Sequence, residues 1–153
     1  MTPLGRGATN FSMFKLFAIL LLLPLVVAKA NECDAYLDIE QQYHCGKSGY
    51  PLKFGHKYCQ KFIAKKERFS VEGQLWLAQV RECLISEVNS LAAIDCRELK
   101  KLAFESHGDC YEKAGFCELS SSDRKELYKM IVPQFWRVRL VQDGLSLLRS
   151  CKD

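Results

Sequence analysis

Apolar residues recur with helical spacing over most of the chain, and the longest such pattern covers 71–92. Trp76, Val80, Cys83, Leu84, Val88 and Leu91 fall there at three- and four-residue steps, which places them on one stripe of a helix. Ser70 stands before the stripe as an N-cap, and Gly73 falls in the first turn, where it costs little. Trp76 belongs to the core, as a large aromatic at helical spacing does. A second helix opens at Asp95, with Glu98 three residues on in a capping-box pattern. Cys96, Leu99, Leu102 and Ala103 line one side of it, with Phe104 close by. His107-Gly108 closes that helix, Gly108 suiting a left-handed C-terminal position. Asp109 and Glu112 then start a short helix through Cys117.

The flanks follow the same logic. Phe62, Ile63 and Phe69 in 59–69 oppose a polar face of Lys61, Lys65, Lys66, Glu67 and Arg68, and Lys65-Lys66 reads as a solvated face. A short helix is expected after Asp34, within 31–42. A polar linker at 119–122 leads to a helix of about 123–132 capped by Ser122, and Pro133 stops or kinks it. A last helix, about 134–150, buries Phe135, Val138, Val141, Leu145 and Leu148, with Trp136 on another side beside Arg137 and Arg139.

One stretch breaks the pattern. Between Tyr43 and Tyr58, Gly46, Ser48, Gly49, Pro51 and Gly55 are mixed with Tyr43, Tyr50, Phe54 and Tyr58. Glycine and proline interrupt regular structure, so the reading is an aromatic-rich loop pinned by Cys45 and Cys59. Its aromatics either cover one end of the core or form a binding surface. There is no internal repeat, low-complexity tract or strand alternation. The fold expected is an all-α, small disulfide-clamped helical bundle with an irregular Gly/Tyr-rich N-terminal loop.

Composition changes the picture mainly through the first thirty residues. Arg6 and Lys15 precede the apolar run 16–27, and Ala28-Lys29-Ala30 follows with a small-x-small pattern. Residues 1–30 therefore read as a secretory signal peptide, the run being shorter than the roughly 20 apolar residues a membrane span needs. Residues 31–153 form a single domain. The formal charge of +4 falls to 19 basic against 18 acidic residues once 1–30 are set aside. Overall charge thus gives no case for nucleic-acid binding or a polybasic membrane surface.

All eight cysteines follow residue 30: Cys33, Cys45, Cys59, Cys83, Cys96, Cys110, Cys117 and Cys151. In a secreted context an even set implies a disulfide framework, although eight cysteines allow about 105 pairings and spacing does not choose among them. There is no CxxC, and His44, His56 and His107 are scattered, so neither a zinc site nor any other metal or cofactor is expected. A core of this size is moderate, and disulfides worth about 2–4 kcal/mol each decide whether it stays folded.

Catalytic patterns are absent. No GxSxG occurs, and no calcium loop stands beside a His-Asp pair of the kind a secreted helical phospholipase uses. Glu32 with Asp34, and Asp38 with Glu40, read as surface charge. The chain is expected not to be an enzyme. The only Asn-x-Ser/Thr is Asn10-Phe11-Ser12, within the leader, so no N-glycan is expected on the mature protein. Contact residues are sought in aromatic and arginine side chains favoured at binding hot spots: Tyr43, Tyr50, Phe54 and Tyr58 in the loop, and Trp136, Arg137 and Arg139 in the last helix.

The run CQKFIAKKERFSVEGQLWLAQVREC, then CRELKKLAFESHGDC and CYEKAGFC, resembles the core of the stanniocalcins. Phe69, Gly73, Arg81-Glu82-Cys83, Cys110-Tyr111, the gap to Cys117 and the closing Leu147-Leu148-Arg149-Ser150-Cys151 carry the likeness over 59–151. The chain departs from the family in a shorter Cys83–Cys96 interval and a Gly/Tyr loop in place of an acidic, cysteine-dense N-terminal segment. It also lacks that segment's glycan sequon and the long C-terminal extension with its intermolecular cysteine. The resemblance implies the pairs Cys33–Cys59, Cys45–Cys96, Cys83–Cys110 and Cys117–Cys151, and a monomer or non-covalent dimer. It also implies a secreted, hormone-like regulator that binds an extracellular protein, a receptor or a pappalysin-type metalloproteinase, in calcium and phosphate balance or proteinase inhibition. Two other readings stay open: a disulfide-rich helical carrier of a small apolar ligand, and a lineage-specific secreted effector.

Overall fold

Five α-helices and no strand make up the described residues, 31–131 and 151, of the computed structural model. The expected leader at 1–30 and the expected final helix at 134–150, with Trp136, Arg137 and Arg139, lie outside them. Helix α1, Ala35–Tyr43, is entered through a 3-10 turn, Glu32–Asp34. A π-helical turn, Pro51–His56, runs directly into α2, Lys57–Lys65. Then follow α3, Val71–Ser90, α4, Cys96–Lys113, and α5, Ser121–Ile131.

Local signals set several of these ends. The Ser70 hydroxyl accepts from the Gly73 N–H at 3.1 Å and starts α3. The Asp95 carboxylate accepts from the N–H groups of Arg97 and Glu98 at 2.8 and 2.7 Å, while Glu98 reaches back to accept from the Ile94 N–H at 2.8 Å. This is the reciprocal box expected at α4, displaced by one residue on the return bond.

The Gly/Tyr stretch is less irregular than its composition suggests. Only 44–49 is non-helical, closing α1 through left-handed His44 (φ 52°) and Gly46 (φ 74°). Pro51 stands at a helix start, where its missing N–H costs nothing. Gly55 is a packing notch: a Cβ there would lie 2.2 Å from the Tyr36 ring. Residues that resemble breakers thus serve as a helix start and a point of close approach between the turn and α1.

Two further boundaries differ from expectation. Helix α4 does not end at His107-Gly108 but continues to Lys113, so no separate helix starts at Asp109. The buried Cys110 is bonded to Cys83 of α3, and this anchoring outweighs the cost of about 1 kcal/mol for a glycine inside a helix. The chain turns instead at Gly115, φ 86°. Helix α5 is capped by Ser120 rather than Ser122: the Ser120 hydroxyl accepts from the Asp123 N–H at 3.1 Å.

Buried side chains among the described residues form two clusters. One joins Tyr36 and Ile39 of α1, Tyr50 just before the π-turn and Phe54 within it, Val88 of α3, and Leu99 and Ala103 of α4. The other gathers Phe62, Phe69, Trp76, Leu77, Val80, Leu84, Phe116, Leu127 and Met130. Helix α3 feeds both, so the stripe read from sequence is the axis of the core.

All eight cysteines are paired: Cys33–Cys59, Cys45–Cys96, Cys83–Cys110 and Cys117–Cys151. The first ties the opening 3-10 turn to α2. The second ties the 44–49 loop to the start of α4, and the third crosses from α3 to α4. These are the four pairs that the stanniocalcin resemblance implies. Four disulfides suit an oxidising compartment, and no helix among the described residues is long and apolar enough to cross a membrane.

Candidate interaction surfaces

The aromatics first considered for partner contact lie mostly inside. Tyr50 is 2% exposed and Phe54 6%. Tyr50 packs edge-on against Tyr36 and Phe104, and Phe54 packs edge-on against Phe104, with ring centroids 6.4, 5.4 and 5.2 Å apart. Neither can touch a partner without unfolding the first cluster, so both are core residues and not contact residues. Their four-residue spacing with Tyr58 and Phe62 is the signal that places them on one buried helical face. Tyr43 and Tyr58 are part-buried. The Tyr43 hydroxyl donates to the Leu91 carbonyl at 3.3 Å, bracing the end of α3.

The aromatic contacts continue as a chain that joins the two clusters. Phe104 meets His107 at 5.2 Å, His107 meets Tyr111 at 5.8 Å, Tyr111 meets Trp76 at 5.5 Å, and Trp76 meets Phe116 at 6.0 Å. The Trp76 indole N–H donates to the Tyr111 carbonyl at 3.3 Å. His107 is the middle link of this chain. Its Nδ1 lies 2.6 Å from the Ala103 carbonyl, which only accepts, so Nδ1 carries the proton. Burial among the rings pushes its pKa down to about 4, against an opposing effect of that carbonyl. Burial likewise raises the Tyr50 and Tyr111 hydroxyls well above the usual tyrosine value.

A polar cluster missed in the sequence joins the N-termini of α3 and α5. Asp123 is 2% exposed. Its Oδ1 accepts from the Ser70 N–H at 2.8 Å, and its Oδ2 accepts from the Ser70 and Ser120 hydroxyls at 2.7 and 2.8 Å. One carboxylate therefore holds both capping serines. Burial pushes its pKa up, but the bonds from Ser70 and Ser120 outweigh this and hold the carboxyl below its ordinary range. Gly73 lies against it, where a Cβ would sit 2.8 Å from the Asp123 carboxyl carbon. Gly73 is thus required by packing and is not a tolerated first-turn residue.

The three histidines remain apart. His44 is exposed, His107 is part-buried, and His56 faces Asp34 at 3.9 Å and Gln60 at 3.5 Å. Cys83, Glu87 and Cys110 bring three potential metal-ligand atoms together, but the two sulfurs are bonded to each other and offer no thiolate. What the described residues leave outside is chiefly charged: Lys53 and Lys57 before and on α2, and Lys101 and Lys113 on α4, with Val71, Leu75 and Ile94 as the exposed large apolar side chains. Protein-family models, curated proteins and solved structures yield no match to this chain.

Proposed function

We propose that the chain is a secreted, stanniocalcin-like regulator that acts by binding an extracellular protein and has no catalytic centre. The observation that carries this reading is the disulfide framework. The pairs Cys33–Cys59, Cys45–Cys96, Cys83–Cys110 and Cys117–Cys151 are one arrangement among about 105, and it is the arrangement that the flanking residues of the family pattern imply. The leader-like segment at 1–30 supports export. The burial of Tyr50 and Phe54 leaves a partner to be met by other side chains on the outside of the bundle, as suits a scaffold that works by presenting a rigid surface.

The test is capture from extracellular fluid with the secreted, oxidised protein as bait. The reading predicts retention of a protein partner, with a pappalysin-type metalloproteinase or a cell-surface receptor as the first candidates. It also predicts loss of that partner after the bait is reduced and alkylated. Recovery of a co-purifying lipid and no protein partner overturns it in favour of the carrier reading.

A further inference from the structure

The near-neutral charge of 31–153 conceals a strong local asymmetry. Six lysines and no carboxylate lie between Glu40 and Glu67, while the rest of 31–153 holds 13 basic and 18 acidic residues. The fold orders the basic segment. Lys53, Lys57, Lys61 and Lys65 follow at four-residue steps along the π-turn and α2, a row of about 18 Å at roughly 1.5 Å per residue. The opposite side of the same segment, with Phe54, Cys59 and Phe62, is buried in the core.

The lysines play two parts. Lys61 turns inward: its ammonium donates to the Met130 carbonyl at 2.5 Å, near the end of α5, and lies 5.4 Å from the Tyr58 ring centre. Burial, followed by the nearby charges of Lys57 and Lys65, holds it below the usual lysine value. Lys53 and Lys57 are exposed and Lys65 is part-exposed. Among the described residues no carboxylate pairs with these three; Asp34 faces His56, and Glu67 faces Lys66.

We propose that this row is a docking surface for a sulfated polysaccharide, with Lys53, Lys57 and Lys65 as its charge-bearing contacts. The encounter rests on the secreted reading above, because such chains are extracellular; the binding itself does not. Several features favour this occupant over other polyanions. The row consists of lysine point charges and not the arginine forks that grip phosphate in a bidentate manner. No fully exposed aromatic stands beside the lysines on which bases could stack, since Phe54 and Phe62 are buried and Tyr58 is part-buried. No exposed large apolar side chain lies on the π-turn or α2 to enter a bilayer, Val71, Leu75 and Ile94 being elsewhere. A linear row of cations without an apolar centre is also unlike a protein hot spot.

The experiment uses the secreted, oxidised protein and heparin as the probe. Binding is measured on a heparin column and by titration over a range of salt concentrations that includes about 0.15 M. The variant K53Q/K57Q/K65Q is compared with K101Q/K113Q/K129Q, which removes the same charge from α4 and α5. Circular dichroism establishes that both remain folded, and Lys61 is left in place because it holds α5. The proposal expects the row variant to elute at clearly lower salt, and its log-affinity against log-salt slope to fall by about 2–3 if each lysine releases roughly 0.7–0.9 counterion as in other polyanion complexes. The control variant keeps the wild-type slope, and chemically desulfated heparin binds at least tenfold more weakly. Equal losses in the two variants, no binding at about 0.15 M salt, or equally tight binding to phosphatidylserine vesicles or to single-stranded DNA through the same lysines each overturn it. Capture of a protein partner is measured separately, so failure of either reading is distinguishable from failure of the other.

Discussion

The contact between Asp123 and Gly73 lends itself to a double-mutant cycle. Asp123→Ala removes a buried carboxylate that accepts three hydrogen bonds, and leaves the Ser70 N–H without its acceptor. Hydrogen bonds to a charged group are worth about 1.5–3 kcal/mol each but do not add, and the two hydroxyls can turn to other acceptors, so the net loss is about 3 kcal/mol. For a domain of this size that corresponds to a fall in Tm of roughly 12–15 °C. Gly73→Ala places a Cβ 2.8 Å from the Asp123 carboxyl and 3.0 Å from the Phe69 Cβ. The carboxylate is fixed by its three donors and cannot swing aside, so overpacking costs about 2 kcal/mol.

In the Asp123→Ala background the obstructing atoms are gone. Alanine's helix preference over glycine, about 1 kcal/mol, then offsets the remaining contact with Phe69, and Gly73→Ala becomes nearly neutral. The coupling is therefore about 2 kcal/mol, well outside the roughly 0.5 kcal/mol scatter of independent sites. The assay is denaturant unfolding followed by far-UV circular dichroism with the disulfides intact, comparing midpoints at constant slope. Additive losses would refute the packing argument. The carboxyl's lowered pKa adds a second signature. Its stabilisation is complete above the ordinary carboxylate range and is lost as pH falls through the folded value, so the Asp123→Ala variant lacks that part of the acid limb.

His107 predicts a different pH window. The unfolded histidine takes a proton near 6.5 and the folded one near 4, so between these values the unfolded state binds more protons and stability is lost as the pH is lowered. At 1.36 kcal/mol per pH decade the whole interval is worth about 3 kcal/mol; His107→Phe retains a ring in the aromatic chain and should flatten the slope between pH 6.5 and 4 in the same unfolding assay. Gly55→Ala forces a methyl into the Tyr36 ring, 2.2 Å away, and should cost about 2–3 kcal/mol, read as a lower thermal midpoint. Cys45→Ser/Cys96→Ser opens a loop with a sequence separation of 51 and should cost about 4 kcal/mol by chain entropy. The separation for Cys83–Cys110 is 27, which corresponds to about 3.5 kcal/mol by the same relation, before the loss of packing at the fully buried Cys110.

The parts of this fold legible in the sequence are those fixed by neighbours a few residues apart. The α3 stripe through Trp76, Val80, Leu84 and Val88, the Ser70 cap and the Asp95–Glu98 box are local patterns; the first two form as read, and the box forms with its return bond one residue earlier, at Ile94. What escaped depends on distant partners. Gly55 and Gly73 are notches for Tyr36 and Asp123, and neither contact can be inferred from the residues around the glycine. Ser70 and Asp123 meet across 53 positions of sequence. Gly108 shows tertiary anchoring overriding a local stop signal, because Cys110 two residues later is tied to α3. Tyr50 and Phe54 could have been placed correctly, since their step of four continues to Tyr58 and Phe62; the surrounding glycines and proline obscured that period.

Non-reducing peptide mapping of the secreted protein tests the central claim most directly. Digestion without reduction should yield peptides joined as Cys33–Cys59, Cys45–Cys96, Cys83–Cys110 and Cys117–Cys151, each separating on reduction. A peptide joining Cys83 to Cys96 would contradict both the α3–α4 clamp and the stanniocalcin-like scaffold on which the functional reading depends.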